Sequence, residues 1–430
     1  MKRFGLMCLI ALFTMALVLG GCSKKEEAAA PADPNAPVQL LVWCWDPNFN
    51  VFAMREAEKI YRRDHPNVSL DIQDIPEIEQ KLLTALSAND TSILPDIILM
   101  QDNSIQKFVT NFPKAFLPVN GKVDISRFAQ FKLDVGNVNG QNYGVPFDNG
   151  ATAFFLRRDY VEQAGLQVSD FNNITWKRFV ELGKIVKEKT GLPLVTGSGP
   201  DVQVQLQSTG IWTFDAEGEP YIKNNPVVRE VINTYRDLMT SGVLLEVPDW
   251  NAYIASINRG TTAGVIQGCW IIGTITSATD QAGKWAMVTT PRFDTAIIPT
   301  ATNYSSQGGC GWMVMGHTKK ADAAFDFLDK TFAGSVELYQ TILPPSGAIS
   351  TWLPAAEAPV YAEPQPFFGG QKIYEELMDY ASKVPQVKFG LYNYEARDAI
   401  QRAVLAVYQG GNIDAALDTA QQEVEFLMNQ

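Results

Sequence analysis

The chain has 430 residues and carries 35 Lys and Arg against 47 Asp and Glu, a net charge of −12. Nucleic-acid recognition rests on basic patches that displace counterions, so this balance argues against that partner class. So long a chain exceeds what one hydrophobic core usually supports, and two domains are expected. Only His65 and His317 could supply imidazole. Both sit in turn-like settings, which leaves a His-based metal site or a Ser-His-Asp triad without a well-placed group; no metal or cofactor is expected.

The chain opens with Lys2 and Arg3, continues uncharged from Phe4 to Leu19, and reaches Leu19-Gly20-Gly21-Cys22. A basic start, an apolar run and small residues before a cut define a signal peptide, here residues 1–21, and the run is shorter than a membrane span needs. The Leu-Gly-Gly-Cys ending resembles the bacterial lipoprotein lipobox. That resemblance implies acylation of Cys22 and a chain held outside the cytoplasm, on the periplasmic side or outer face of the cell membrane. Residues 22–37 are charged, then rich in Ala and Pro, and read as a flexible linker from that anchor.

Residues 39–45 form an apolar run of strand length, and 52–63 place Ala53, Ala57, Ile60 and Tyr61 at helical spacing. Residues 68–75 alternate as a strand does, 77–88 read as a helix, and 95–100 as a buried strand. Strands and helices in alternation argue a mostly parallel sheet covered by helices, with ligands bound beyond the carboxyl ends of the strands. Those ends are residues 45–48 and 101–103. Further strands are expected at 153–157 and 262–266, and helices at 175–189, 225–240 and 394–428, the last broken at Gly410-Gly411. Cys44, Cys269 and Cys310 lie in apolar or Gly-rich settings whose default is a small buried residue.

An ordered series of short segments then carries a resemblance. It runs from the strand holding Trp43 through His65-Pro66-Asn67-Val68, Gln80-Lys81-Leu82, Leu94-Pro95-Asp96-Ile97-Ile98 and Tyr143-Gly144-Val145-Pro146. It continues with Phe155-Leu156-Arg157-Arg158-Asp159, Ala164-Gly165-Leu166, Thr175-Trp176, Asn258-Arg259-Gly260, Gly268-Cys269-Trp270 and Lys320-Ala321. Together these resemble the sugar-binding extracellular solute-binding proteins of ABC importers, the family that includes maltose-binding protein. The resemblance implies an α/β, type II periplasmic-binding-protein fold: two lobes of mixed, mostly parallel sheets joined by a hinge, with the ligand in the cleft. Lobe 1 would hold residues 38–147 and 293–343, and lobe 2 residues 148–292 and 344–430. It also implies a binder, not an enzyme, that passes a sugar or oligosaccharide to the transmembrane subunits of a permease; the absence of a coiled-coil heptad run suggests a monomer. Cys269 and Cys310 would fall in opposite lobes, where a disulfide would lock the hinge, so both are expected as free thiols.

A sugar site needs carboxylates and amides for hydroxyls and aromatic faces for the ring, and a charged acceptor makes the stronger hydrogen bond. Trp45, Asp46 and Asn48 follow the first strand, although Asp-Pro-Asn is also ordinary turn chemistry. Asp102 ends the third strand and could instead cap a helix. Asp148 falls at the inferred hinge, where it would face the cleft and meet ligand, or else serve only the hinge backbone. Trp270, just past a strand end, matches the family's stacking tryptophan. Gln307 and Trp312 would form the facing wall, with Trp312 equally suited to a buried strand, and Trp250 is a further candidate. The maltose pattern's tryptophan on the third strand is replaced by Met100, and its basic contact in the first loop by Asn48, which puts maltose itself in doubt. Three other readings remain open: a cationic solute such as a polyamine, a tethered sensory subunit, and a secreted glycoside hydrolase, which would need two carboxylates across the scissile bond.

Overall fold

Strand β1 (Val38–Cys44) buries Leu40, Val42, Trp43 and Cys44, so both of its faces are covered, as an interior parallel strand requires. It belongs to a computed structural model that describes residues 36–429, and the leader and linker readings before Ala36, acylation of Cys22 among them, lie outside the described residues. Helix α1 (Asn50–Tyr61) follows, burying Ala53, Met54, Ala57 and Tyr61 on one face. Strand β2 (Val68–Asp74), helix α2 (Ile78–Ser87), strand β3 (Ile97–Gln101) and helix α3 (Asp102–Asn111) complete the amino-terminal βα run.

The larger sheet places β1 between β2 and β3, parallel to both. Cys310–Met315 then pairs antiparallel with β3, with Trp312 opposite Leu99, and takes Phe116–Leu117 and Val145–Pro146 as further antiparallel partners. A second sheet places Thr152–Arg157 between Gly264–Gly268 and Trp285–Val288, both antiparallel to it. Val195–Gly197 and Leu244–Glu246 form a separate parallel pair. Among the described residues, strands pair in parallel at β1–β3 and in that short pair, and one isolated parallel bridge joins Thr175 to Arg292. Strands that return from the opposite sheet enter antiparallel, a feature the amino-terminal alternation alone does not disclose.

Thr152–Arg157 is buried along its whole length because it is covered on both faces. Ala153 and Phe155 enter the core that also contains the larger sheet, while Phe154 and Leu156 enter a second core. The period of two along a strand produces this division. The helix Asn393–Tyr408 buries Ala396, Ile400, Ala403, Val404 and Val407 in the second core, where it packs on the helices Pro226–Thr240 and Ile413–Met428.

Residues 147–151 carry the chain from the larger sheet to the second, and 289–309 bring it back. The passages run side by side: Phe147 N–H donates to Cys310 C=O (2.8 Å), Gln307 N–H to Gly150 C=O (2.9 Å) and Thr152 N–H to Ser305 C=O (2.9 Å). A third segment closes the other edge, where Asn149 N–H donates to Ile349 C=O (3.1 Å) and Asp148 bridges Ser350. Beside this crossing Phe147 packs against Phe332 and Trp312, with centroids 5.5 and 5.7 Å away. Truncating a buried tryptophan costs about 3–5 kcal/mol. Trp312→Ala should therefore lower unfolding stability by that amount in urea titrations; a change below about 1 kcal/mol would contradict its place in the core.

Candidate functional site

The turn after β1 is built by its own polar groups. Trp45 N–H donates to Asn50 Oδ1 (3.0 Å), and Asn48 N–H donates to Asp46 Oδ1 (3.0 Å). Asp46 C=O accepts from Phe49 and Val51 N–H, both at 3.2 Å, which turns the chain into α1. Asp46 adopts φ +71°, a left-handed conformation that Asp tolerates better than most residues, because its short side chain can bond locally. Such strain is of order 1–3 kcal/mol and gathers at binding sites.

This turn forms one wall of a cavity of about 360 Å³. Trp45, Asp46, Phe49 and Asn50 stand on that wall, with Gln101 beside them at the end of β3. Asp148 and residues 307–310 of the crossing segments line it, as do Trp250 and Trp270, Gln203 and Arg397. The volume falls within the usual range for small-molecule sites, about 300–1,000 Å³.

Trp270 follows the strand Gly264–Gly268 and is half-buried. Its indole N–H donates to Gln307 C=O (3.0 Å), which ties it to the crossing. Trp250 lies 5.7 Å from it, stacked in turn on Tyr253 at 4.9 Å. Gly268 and Gly308 leave room for the indole that a Cβ would narrow.

Beside the cavity is a buried charge cluster. Asp102, the first residue of α3, is paired with Lys132 of helix α4 (Gln130–Gly136), whose side chain is 1% exposed. Burial raises the Asp102 carboxyl while Lys132 pulls it back. Gly309, at φ +91°, rests on this pair: a Cβ there would lie 2.5 Å from Asp102 Oδ2 and 3.0 Å from Lys132 Nζ. Asp148 is 1% exposed; its Oδ1 accepts from Cys310 N–H (2.9 Å), and its buried Oδ2 has no hydrogen-bond partner in the protein. Burial pushes its pKa up to about 6, with Lys132 opposing and Asp102 reinforcing the shift. Gln307 Oε1 is likewise buried without a partner. Two unpaired acceptors on one cavity suit a ligand rich in hydroxyl donors, since buried polar groups are otherwise almost always paired.

Of the residues singled out from sequence, Trp45, Asp46, Asp148, Trp250, Trp270 and Gln307 share this cavity. Three stand elsewhere. Trp312 corrects the expectation of a facing wall: it is 0% exposed, in the core against Phe147 and Phe332, because its strand is buried on both faces. Asn48 is exposed on the outside of the turn, and Asp102 lines a neighbouring space rather than this one. Phe49, Asn50, Gln101, Gln203 and Arg397 were not singled out. Gln101 sits at a strand end already marked, and Asn50 opens the helix after the first turn. Gln203 and Arg397 arrive on helices that only tertiary packing brings to the cavity. Cys44, Cys269 and Cys310 are buried free thiols. Among the described residues no cluster of His, Cys, Asp and Glu could hold a metal ion, and no helix is long and apolar enough to cross a membrane.

Two sheets, three crossing segments and a tryptophan-walled polar cavity against the crossing define a two-lobed binding protein of the type II periplasmic kind. The chain belongs to the bacterial extracellular solute-binding protein family, which matches residues 57–366, and this places it outside the cytoplasm. It is 37% identical over 390 residues to a lactose-binding protein of Rhizobium radiobacter, covering 90% of this chain and 92% of that one. An arabinooligosaccharide-binding protein of Halalkalibacterium halodurans is 24% identical over 430 residues, covering 94% and 93%. Among solved structures, the ABC transporter associated binding protein from B. animalis subsp. lactis Bl-04, in complex with beta-1,6-galactobiose, shares the fold with a TM-score of 0.75. It is 19% identical, over 92% of this chain and 98% of that one.

Asp148 makes a testable demand on stability. Its carboxyl moves from 3.8 to about 6 on folding, so the folded state holds the proton more tightly. The group therefore favours folding below about pH 4, and that contribution is lost as pH rises through 6. The shift corresponds to about 3 kcal/mol. Asp148→Asn should raise the melting temperature at pH 7.5, with the gap over wild type closing toward pH 4. A variant that melts below wild type at pH 7.5 would contradict this account.

Proposed function

We propose that this protein is the sugar-binding lipoprotein of an ABC importer, tethered through Cys22, which captures a sugar or oligosaccharide between its lobes and delivers it to a membrane permease. The lobes would be residues 38–147 with 293–343, and 148–292 with 344–430. The observation that carries the reading is the similarity to a lactose-binding protein along nine-tenths of the chain, and the cavity's chemistry agrees with it. Trp270 offers a ring face, Asp148 and Gln307 offer acceptors, and Arg397 offers donors, its buried Nε having no partner in the protein. An acceptor buried without its partner costs about 1–3 kcal/mol, which is how such a site would distinguish one hydroxyl stereochemistry from another.

Binding would favour the closed arrangement of the lobes and shift the population toward it. The closed, loaded form would then dock on the permease. The protein would be a binder and not a hydrolase, so oligosaccharides should be recovered intact after incubation with it.

Isothermal calorimetry against galactose, lactose, β-1,6-galactobiose, maltose and arabino-oligosaccharides, with spermidine as control, tests the reading. Micromolar or tighter binding of one sugar class is expected. Trp270→Ala should weaken it about tenfold or more, since an aromatic contact and its buried area together exceed about 1.4 kcal/mol. Silence across the sugars with heat from spermidine would move the function to cationic solutes. Release of reducing ends would make the protein a glycosidase.

A further inference from the structure

The parallel pair Val195–Gly197 and Leu244–Glu246 borders a second space, a chamber of about 200 Å³ that also meets Trp176, Tyr235, Leu238 and Ile266 of the second core. Residues 198–201, which leave the first of these strands at its carboxyl end, form one wall, and ligands of α/β sheets are bound at such ends. The chamber adjoins the cavity on four elements. Gln307 lines both spaces. The helix Val202–Gln207 gives Gln203 to the cavity and Gln205 to the chamber. The helix Asn393–Tyr408 gives them Arg397 and Gln401, one turn apart on the same face. Trp250 of the cavity is stacked on Tyr253 of the chamber at 4.9 Å.

The polar groups of the chamber are of both kinds. Gln205 is 3% exposed, and its Oε1 is buried without a partner in the protein. Trp176 is 5% exposed, and its indole N–H is likewise unpaired. Asp201 accepts a long hydrogen bond from Val204 N–H (3.4 Å), and burial pushes its pKa up to about 7. Tyr253 Oη accepts from Gln267 Nε2 (3.3 Å) and keeps a proton to donate. Buried polar groups are almost always paired, and an orphaned acceptor with an orphaned donor on one chamber suits a hydroxyl, which both donates and accepts. Tyr235, Tyr253 and Leu238 supply apolar surface for the C–H face of a ring.

We propose that the chamber is a further subsite, which takes one more ring of the sugar held in the cavity, with Gln205 and Trp176 as its specificity-determining residues. This rests on the reading of the cavity as a sugar site. The chamber has a little over half the volume of the cavity, about 200 against about 360 Å³, so it has room for one ring where the cavity takes a disaccharide. The sugar passes from one space to the other beside Gln307. A purely structural role for Gln205 and Trp176 would weaken every sugar equally; a subsite changes the ratio between a disaccharide and its extended form.

The test is calorimetry of the full chain with lactose and with trisaccharides that carry one further galactose at either end of lactose, in wild type, Gln205→Leu and Trp176→Phe. At least one trisaccharide should bind wild type about tenfold more tightly than lactose, the scale of one more hydrogen-bonded ring. Gln205→Leu removes an unpaired buried acceptor at similar shape, so the variant should fold. It should leave the affinity for lactose within about twofold and cut the advantage of the trisaccharide at least about fivefold. Trp176→Phe keeps an aromatic ring and removes the N–H; it should act the same way, by about threefold. No trisaccharide binding more tightly than lactose, or an advantage unchanged in both variants, would overturn the proposal, as would equal weakening of both sugars. Silence of wild type toward every sugar of the calorimetric panel would instead overturn the reading of the cavity on which it rests.

Discussion

Everything in this molecule depends on how three strands of chain cross between two sheets without leaving their peptide groups unpaired. Residues 147–151 occupy the middle of the crossing and are hydrogen-bonded to the 305–310 segment on one edge and to Ile349 on the other. Hydrogen bonds of this kind stabilise modestly when made and cost more when lost, so the crossing is held as a ribbon between two sheets that both send residues into one core. Asp148 adds a constraint of its own. Its carboxylate accepts the Cys310 N–H, which fixes the two passages against each other, yet its second oxygen is left unpaired in a buried place. The neighbouring Asp102 and Lys132 set the field in which that oxygen sits.

Such an arrangement is poor for stability and good for recognition. A strained Asp46, a raised Asp148 and a glycine at 309 that no other residue could replace without meeting the Asp102–Lys132 pair all border the cavity or the crossing beneath it. Proteins rarely concentrate such features except where a ligand repays them. The aromatic residues divide accordingly. Trp312, Phe147 and Phe332 fill the core beside the crossing, whereas Trp250 and Trp270 stand where one face meets the cavity.

Much of the fold was legible in the sequence, because the amino-terminal strands and helices bury residues at the periods that geometry demands. The antiparallel entry of Cys310–Met315 was not, since pairing between residues some 210 positions apart leaves no local trace. The site was partly legible for the same reason. Trp45, Asp46 and Trp270 follow strands and could be found by position, while Gln203 and Arg397 belong to helices whose approach is set by packing elsewhere. Trp312 shows the limit from the other direction: in a strand covered on both faces, alternation cannot say which side of a tryptophan meets solvent. Lys132 was invisible until its partner was known, because nothing in its own helix marks it as buried.

The most direct test of the central claim, that the crossing presents unpaired acceptors to a sugar, is a crystal structure of the protein grown with lactose. The account predicts the disaccharide in the cavity, with a ring face against Trp270 and hydroxyls donating to Asp148 Oδ2 and Gln307 Oε1. A saturating sugar bound elsewhere, or a sugar in the cavity that leaves Asp148 Oδ2 unpaired, would contradict it.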